Sequence, residues 1–248
     1  MKKMIVSFVC VFFLMSTVIA SADISTNGEV TEISENSCTI KEKEKLERID
    51  FIHYAKPEKT EKMSTNTDKC YKLLGIKWKS MPVNYVINPS LFNVSEDFVE
   101  YAISTSAETW DDSTQIELLN DTYLVNNSAI PGIQDFVNVL GFVDYPSDNV
   151  IAVTNIWYNS REKKIVEFDI RFNTGSSWSW GNASDLNSSL MDIQNIATHE
   201  FGHGIGLGDV YRTACRPVTM FGYSLEGDIV KRTLEPADIN GLQKMYGV

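Results

Sequence analysis

The chain has 248 residues, 43% of them hydrophobic, enough to bury a full core and too many for a disordered or collagen-like chain. Lys and Arg number 22 against 33 Asp and Glu, giving a net charge of −11 and a pI near 4.8. A binder of phosphate backbones wants the opposite balance, so no nucleic acid is expected as a partner. There are only three histidines, His53, His199 and His203, and any site that needs several imidazoles must use nearly all of them.

Residues 1–22 read as an export signal. Lys2 and Lys3 give a basic start, Met4 to Ile19 is an uncharged apolar run, and Ala20-Ser21-Ala22 is a small-x-small cleavage pattern. The run is short for a membrane span of about 20 residues. No later segment is long and apolar enough to span, so a secreted, extracellular product without a membrane span is expected. Residues 23–69 are polar and charge-dense, with an alternating-charge run from Lys41 to Arg48. They read as a leader or pro-segment with at most one short helix, against a plain solvated linker.

From Cys70 the texture becomes that of a folded domain, expected to run over residues 70–248. Pro82 to Asn88 reads as a strand ended by Pro89. Ser95 then caps a helix with Glu96 and Asp97 in its first turn and an apolar face of Phe98, Val99, Ala102, Ile103, Ala107 and Trp110. Strands are expected at Gln115–Leu119, Phe136–Phe142 and Val150–Trp157. Lys164–Phe172 alternates apolar Ile165, Phe168, Ile170 and Phe172 with polar Glu167, Asp169 and Arg171. A loop rich in Ser, Gly, Trp and Asn fills 173–188. A long helix follows, opened by a capping-box-like Ser189-Leu-Met-Asp192, and a last helix spans about Pro236 to Tyr246. Once Cys10 leaves with the signal, Cys38, Cys70 and Cys215 remain. Cys70 and Cys215 both lie in the part that reads as folded, which favours that pair for a disulfide.

The chemistry sits in His199-Glu200-Phe-Gly-His203. Two histidines four apart stack on one face of a helix and can grip one tetrahedral zinc ion. Glu200, one step on from His199, can take the proton of a water that the metal activates, without being a ligand itself. Gly206 suits the end of the helix, because glycine accepts positive φ, and the chain can then double back to offer Asp209 as third ligand.

These residues resemble the metzincin metallopeptidases, and the matrixins most closely. That pattern is His-Glu-x-x-His-x-x-Gly-x-x-His followed by a methionine-bearing turn. Here Asp209 stands at the last ligand position, as in the snapalysins. Pro217-Val-Thr-Met220-Phe-Gly-Tyr223 looks like the Met-turn, and Thr233 to Gly247 resembles the matrixin closing helix. Lys77-Trp78 leading into Val83–Ile87 resembles the entry to the catalytic domain. The resemblance implies an α/β (α+β) catalytic domain, with a twisted, mostly parallel five-stranded sheet, three main helices and zinc in a cleft. Lys164–Phe172 would be the edge strand above that cleft, to which an extended protein or peptide substrate adds. Met220 would form the floor beneath the zinc, and Tyr223 is a candidate wall of the substrate pocket. The structural zinc that matrixins hold with three histidines cannot exist here in that form. Calcium is a second candidate ion, with Asp144, Asp148, Asp169 and Asp185 in loop-flanking regions, against an ordinary solvated acidic surface. Cys38 lacks the flanking residues of the matrixin pro-segment cysteine.

The expected activity is therefore exported zinc-dependent endopeptidase, with Glu200 as general base. Two other readings stay open. A gluzincin-type site would take Glu226 or Glu235 as the third ligand, and a non-catalytic exported binding protein would keep the fold without hydrolysis.

Overall fold

The computed structural model describes residues 45–55, 69–91, 93–175, 178–184 and 187–248. The export signal, Cys38 and Asp185 lie outside the described residues. In chain order the elements begin with β1 (Glu47–Ala55), β2 (Lys72–Leu73) and β3 (Val86–Asn88), followed by α1 (Glu96–Asp111). Then come β4 (Leu124–Val125), β5 (Val139–Val143), β6 (Val150–Asn159) and β7 (Lys164–Asn173). Two short strands, β8 (Trp180–Gly181) and β9 (Met191–Asp192), lead into α2 (Ile193–Gly204). The chain closes with β10 (Leu207–Gly208), β11 (Tyr223–Ser224) and α3 (Pro236–Tyr246).

One sheet organises the domain, in the order β11-β1-β6-β7-β5-β3-β4. Its pairings are parallel except for β1 with β6 and β6 with β7. The mixed α/β class, the mostly parallel sheet and the three helices are as expected. The sheet has seven strands rather than five, because β1 and β11 extend it beyond β6.

Two positions differ from expectation. Lys164–Phe172 does not form the edge: β7 lies between β5 and β6 and is buried along most of its length. Its Glu167 and Asp169 face protein, not water. Asp169 accepts backbone N–H groups from Gly132, Ile133 and Val139, and Glu167 accepts those of Asp135 and Phe136. Alternation that looked half-solvated is thus a strand whose polar face is covered by the 132–139 loop. The second difference is β1, which places a nine-residue strand inside the segment read as a polar leader.

The helices pack on one face of the sheet. Val99, Ile103 and Trp110 of α1 join Ile196 and Phe201 of α2 in a core with Ile87, Leu140, Phe168 and Ile170. Ser95 caps α1 by accepting the Phe98 N–H through its side chain, and the first-turn acids complement the helix dipole. Trp110 Nε1–H donates to the Thr198 carbonyl at 2.8 Å, fixing α1 against α2. No strand forms at Gln115–Leu119; only a bridge from Leu119 to Val83 is present. A second apolar cluster of Cys70, Cys215, Val218, Phe221 and Ala237 holds the chain after α2. Cys70 and Cys215 are joined there by a disulfide, with Cα atoms 5.3 Å apart. No helix among the described residues is long and apolar enough to cross a membrane.

Candidate metal centre

The helix that carries the histidines starts later than expected. Its N-cap is Asp192, not Ser189, and the Asp192 carboxylate accepts the Asn195 N–H at 2.8 Å. Arg232 pairs with the same carboxylate. The helix ends at Gly204, and Gly206 follows with φ +108 and its N–H on the His203 carbonyl. A Cβ there would lie 2.5 Å from the Ile76 carbonyl oxygen, so conformation and space both ask for glycine. That reversal brings Asp209 back over the helix.

His199, His203 and Asp209 meet on its inner face. Both imidazoles use Nδ1 on backbone carbonyls, His199 on Thr219 at 2.7 Å and His203 on Leu207 at 2.9 Å. An Nδ1–H donor fixes the tautomer and leaves a lone pair on Nε2. Asp209 Oδ1 lies 3.3 Å from His199 Nε2 and 3.4 Å from His203 Nε2. Its other oxygen accepts the Tyr211 hydroxyl at 3.0 Å. His199 Nε2 and Asp209 Oδ1 are buried and have no hydrogen-bond partner. Lone pairs turned on one another in a buried site repel unless a cation lies among them, and two neutral imidazoles with a carboxylate suit zinc.

Electrostatics agree with that donor set. Burial pushes His199 down to about 3, so its ring is neutral in the ordinary range. Burial works against an ionised Asp209, but the neighbouring imidazoles outweigh it and hold the carboxyl far below the usual range. For His203, burial opposes a charge, while Asp209 favours one and tips the balance upward. That proton is the natural competitor of a metal at Nε2.

Glu200 is fully buried beside this group, and burial pushes it up to about 7. Its Oε2 accepts the Thr154 hydroxyl from β6 at 2.5 Å, and its Oε1 lies 2.9 Å from His53 Nδ1. Met220 is buried beneath the helix, with its sulfur against Gly202. Its turn is held by Asp238 of α3, which accepts the Thr219 and Met220 N–H groups. Tyr223 lines a cavity of about 300 Å³ together with Pro217, Phe221, Leu225, Val230 and Lys231.

Neither glutamate of the gluzincin alternative joins the histidines. Glu226 is exposed in a turn, and Glu235 caps α3, because each chain segment has its own local role. Among the described residues, Asp144, Asp148 and Asp169 form no three-donor group that could hold a metal. Both Asp169 oxygens are already spent on backbone N–H groups.

Three residues of the site went unread in the sequence. His53 and Phe51 come from β1, the His53 ring 4.1 Å from that of His199 and Phe51 stacked on His203 at 4.0 Å. Their signal was present in the alternation of Ile49, Phe51 and His53 with Arg48 and Asp50. Lys231 is fully buried, with Nζ donating to the Phe221 carbonyl at 2.5 Å and lying 3.4 Å from His53 Nε2 and His199 Nδ1. Burial lowers its ammonium to about 8, and no pattern in the sequence marks it.

Comparison with known proteins adds an independent finding. A family model described as Matrixin matches residues 77–247. The chain is 22% identical over 182 residues to human stromelysin-3, covering 73% of this chain and 34% of that protein. It is 25% identical over 175 residues to the hatching enzyme of Paracentrotus lividus, covering 69% and 27%. Human matrix metalloproteinase-25 is 24% identical over 181 residues, covering 71% and 31%. The chain spans about a third of the length of these relatives.

Proposed function

The chain belongs to the matrixin family, and from that premise we propose that it is an exported zinc-dependent endopeptidase acting on protein or peptide substrates. The observation that carries this reading is the convergence of His199 Nε2, His203 Nε2 and Asp209 Oδ1, with both Nδ1 atoms committed to backbone carbonyls. Export is supported by the N-terminal pattern and by the Cys70–Cys215 disulfide, which suits an oxidising compartment.

His199, His203 and Asp209 would hold the ion. Zinc in such a site acts as a Lewis acid on the scissile carbonyl and acidifies the attacking water. The rest falls to side chains. Glu200 takes the proton of the water as it attacks and passes it to the departing amine. A carboxylate raised to about 7 by burial has the basicity that this transfer needs near neutral pH. Thr154 positions Glu200 by donating its hydroxyl to one carboxylate oxygen. Met220 supports the helix from below without ligating.

The test is digestion of a peptide library by the exported chain, with and without a zinc chelator, beside Glu200→Gln. Chelation is expected to stop cleavage. Glu200→Gln should lower turnover by about 10²–10⁴-fold while one zinc stays bound. Chelator-insensitive cleavage would overturn the zinc reading. Zinc binding with no cleavage of any peptide would favour a binding protein that keeps the fold.

A further inference from the structure

The cavity of about 300 Å³ that Tyr223 lines changes character with depth. Arg216 and Val230 are exposed and form its rim, while Phe221, Ser224 and Lys231 are buried and form its inner end. That inner end lies against the metal centre, because the Lys231 ammonium is 3.4 Å from Nδ1 of the ligand His199. A buried ammonium is a costly lining for a pocket that only needs to be filled, since an apolar side chain of the same length would carry no desolvation penalty.

The donors at the inner end outnumber the acceptors around them. Lys231 Nζ carries three N–H donors and accepts nothing. The Phe221 carbonyl takes one of them at 2.5 Å. His199 Nδ1 is already committed to the Thr219 carbonyl, which leaves His53 Nε2, at 3.4 Å, as a second and long contact. Ser224 Oγ is buried in the same lining with no hydrogen-bond partner among the described residues. Tying Lys231 to the Phe221 carbonyl needs one donor, and the remainder suit an acceptor that enters the cavity. The backbone of Lys231 is fixed from α2, where Asn195, one turn before His199, accepts its N–H at 2.7 Å. Charge points the same way. Lys231 and Arg216 face the cavity against one carboxylate, Asp228, which accepts the Leu225 N–H. The balance is positive in a chain whose net charge is −11.

We propose that Lys231 is a specificity-determining residue, which with Ser224 selects an acidic side chain next to the cleaved bond of the substrate. The apolar walls from Pro217, Tyr223 and Leu225 would pack on the methylene groups of that side chain, and its carboxylate would meet the ammonium and the Ser224 hydroxyl. A leucine in the same place leaves both donors unpaired, which is the stronger ground for rejecting it. This rests on the zinc-endopeptidase reading for cleavage, but not for recognition of the carboxylate.

The experiment uses the full exported chain and fluorogenic peptides that differ only in carrying Glu, Gln or Leu on one side or the other of the cleaved bond. Hydrolysis is measured on the wild type and on Lys231→Met, and binding of the same peptides is measured by fluorescence anisotropy on Glu200→Gln with and without Lys231→Met. Glu is expected to exceed Leu by tenfold or more at one of the two positions, in cleavage and in binding. Lys231→Met should abolish that ratio and leave the ratio at the other position as it was. Lys231→Gln, which keeps a donor for the Phe221 carbonyl, takes its place should Lys231→Met fail to fold, and should lose the preference as well. Equal treatment of Glu and Leu by the wild type would overturn the proposal, as would a preference that survives the loss of Lys231. A variant that handles every peptide worse by the same factor would make Lys231 a structural tie and overturn it too. Binding of the Glu peptide through Lys231 without cleavage in any chain would instead remove the endopeptidase reading and leave the recognition of the carboxylate standing.

Discussion

The Met220 sulfur lies against the backbone of Gly202, in the space that a Cβ at position 202 would need. Trp110 closes the same space from the other side, 2.8 Å from that Cβ position. Gly202 directly precedes His203 on the helix that carries both histidines, so the close approach sets how deeply that helix seats on the turn around Met220. Gly202→Ala gains helix propensity but overpacks a filled core, and a net loss of about 2–3 kcal/mol is expected. Denaturant unfolding of the metal-free chain measures it. Met220→Ala in the same chain should recover part of the loss, because the two sites share one space. Additive effects of the two changes would show that the contact is not the cause.

Asp209 and Tyr211 should separate a ligand from its support. Asp209→Ala removes one of three donors and leaves two imidazoles facing a vacancy. Tyr211→Phe removes only the hydroxyl that fixes Asp209 Oδ2. Outer-shell partners of this kind are worth about 10–100-fold in metal affinity. Tyr211 is exposed, so the low end, about tenfold, is expected, with Asp209→Ala well beyond it. Competition with a chromophoric zinc chelator reads both, without any need for activity. Equal losses, or none for Asp209→Ala, would take Asp209 out of the donor set.

The disulfide should matter to the same loop. Cys70 and Cys215 are 145 residues apart, and Val210 and Tyr223 pack on the cluster around them. The chain-entropy limit for so long a loop is about 5 kcal/mol. Cys70→Ser with Cys215→Ser is expected to lose about 3–5 kcal/mol of unfolding free energy. Zinc affinity should fall with it, because Val210 follows Asp209 directly. A double variant with unchanged stability would mean that the cluster packs as well without the bond.

The sequence showed most clearly where one residue type answers to one local rule. Pro236 at a first turn and the apolar positions through Tyr246 gave α3 its limits. Spacing on one helical turn brought His199 and His203 together, and Gly206 had to reverse the chain. What stayed hidden depended on distant partners. The cap passed from Ser189 to Asp192 because Arg232 and the Ala183 N–H meet the Asp192 carboxylate from elsewhere in the fold. Glu167 and Asp169 looked solvent-facing because nothing local shows that the 132–139 loop will lie on them. β1 was masked by its surroundings, since charged neighbours on both sides diluted the alternation of Ile49, Phe51 and His53.

Asp111 supplies a separate pH dependence. Its side chain accepts the Leu118 and Leu119 N–H groups at 2.9 and 3.2 Å, joining the end of α1 to the segment beyond it. Burial pushes the carboxyl up to about 7. A folded-state value above the unfolded one means that the folded chain holds this proton more tightly between about pH 4 and 7. The stabilisation is therefore complete below about pH 4, fades as pH rises towards 7, and is absent above. Three units would correspond to about 4 kcal/mol for a dry site, and solvent screening at this half-buried position reduces it to about 1–2 kcal/mol. Asp111→Asn keeps an acceptor for both N–H groups but cannot titrate. Urea unfolding of the metal-free chain at pH 5 and pH 8 should show the wild type losing about 1–2 kcal/mol more than Asp111→Asn over that interval. Equal changes in the two chains would assign the carboxyl an ordinary acidity despite its burial.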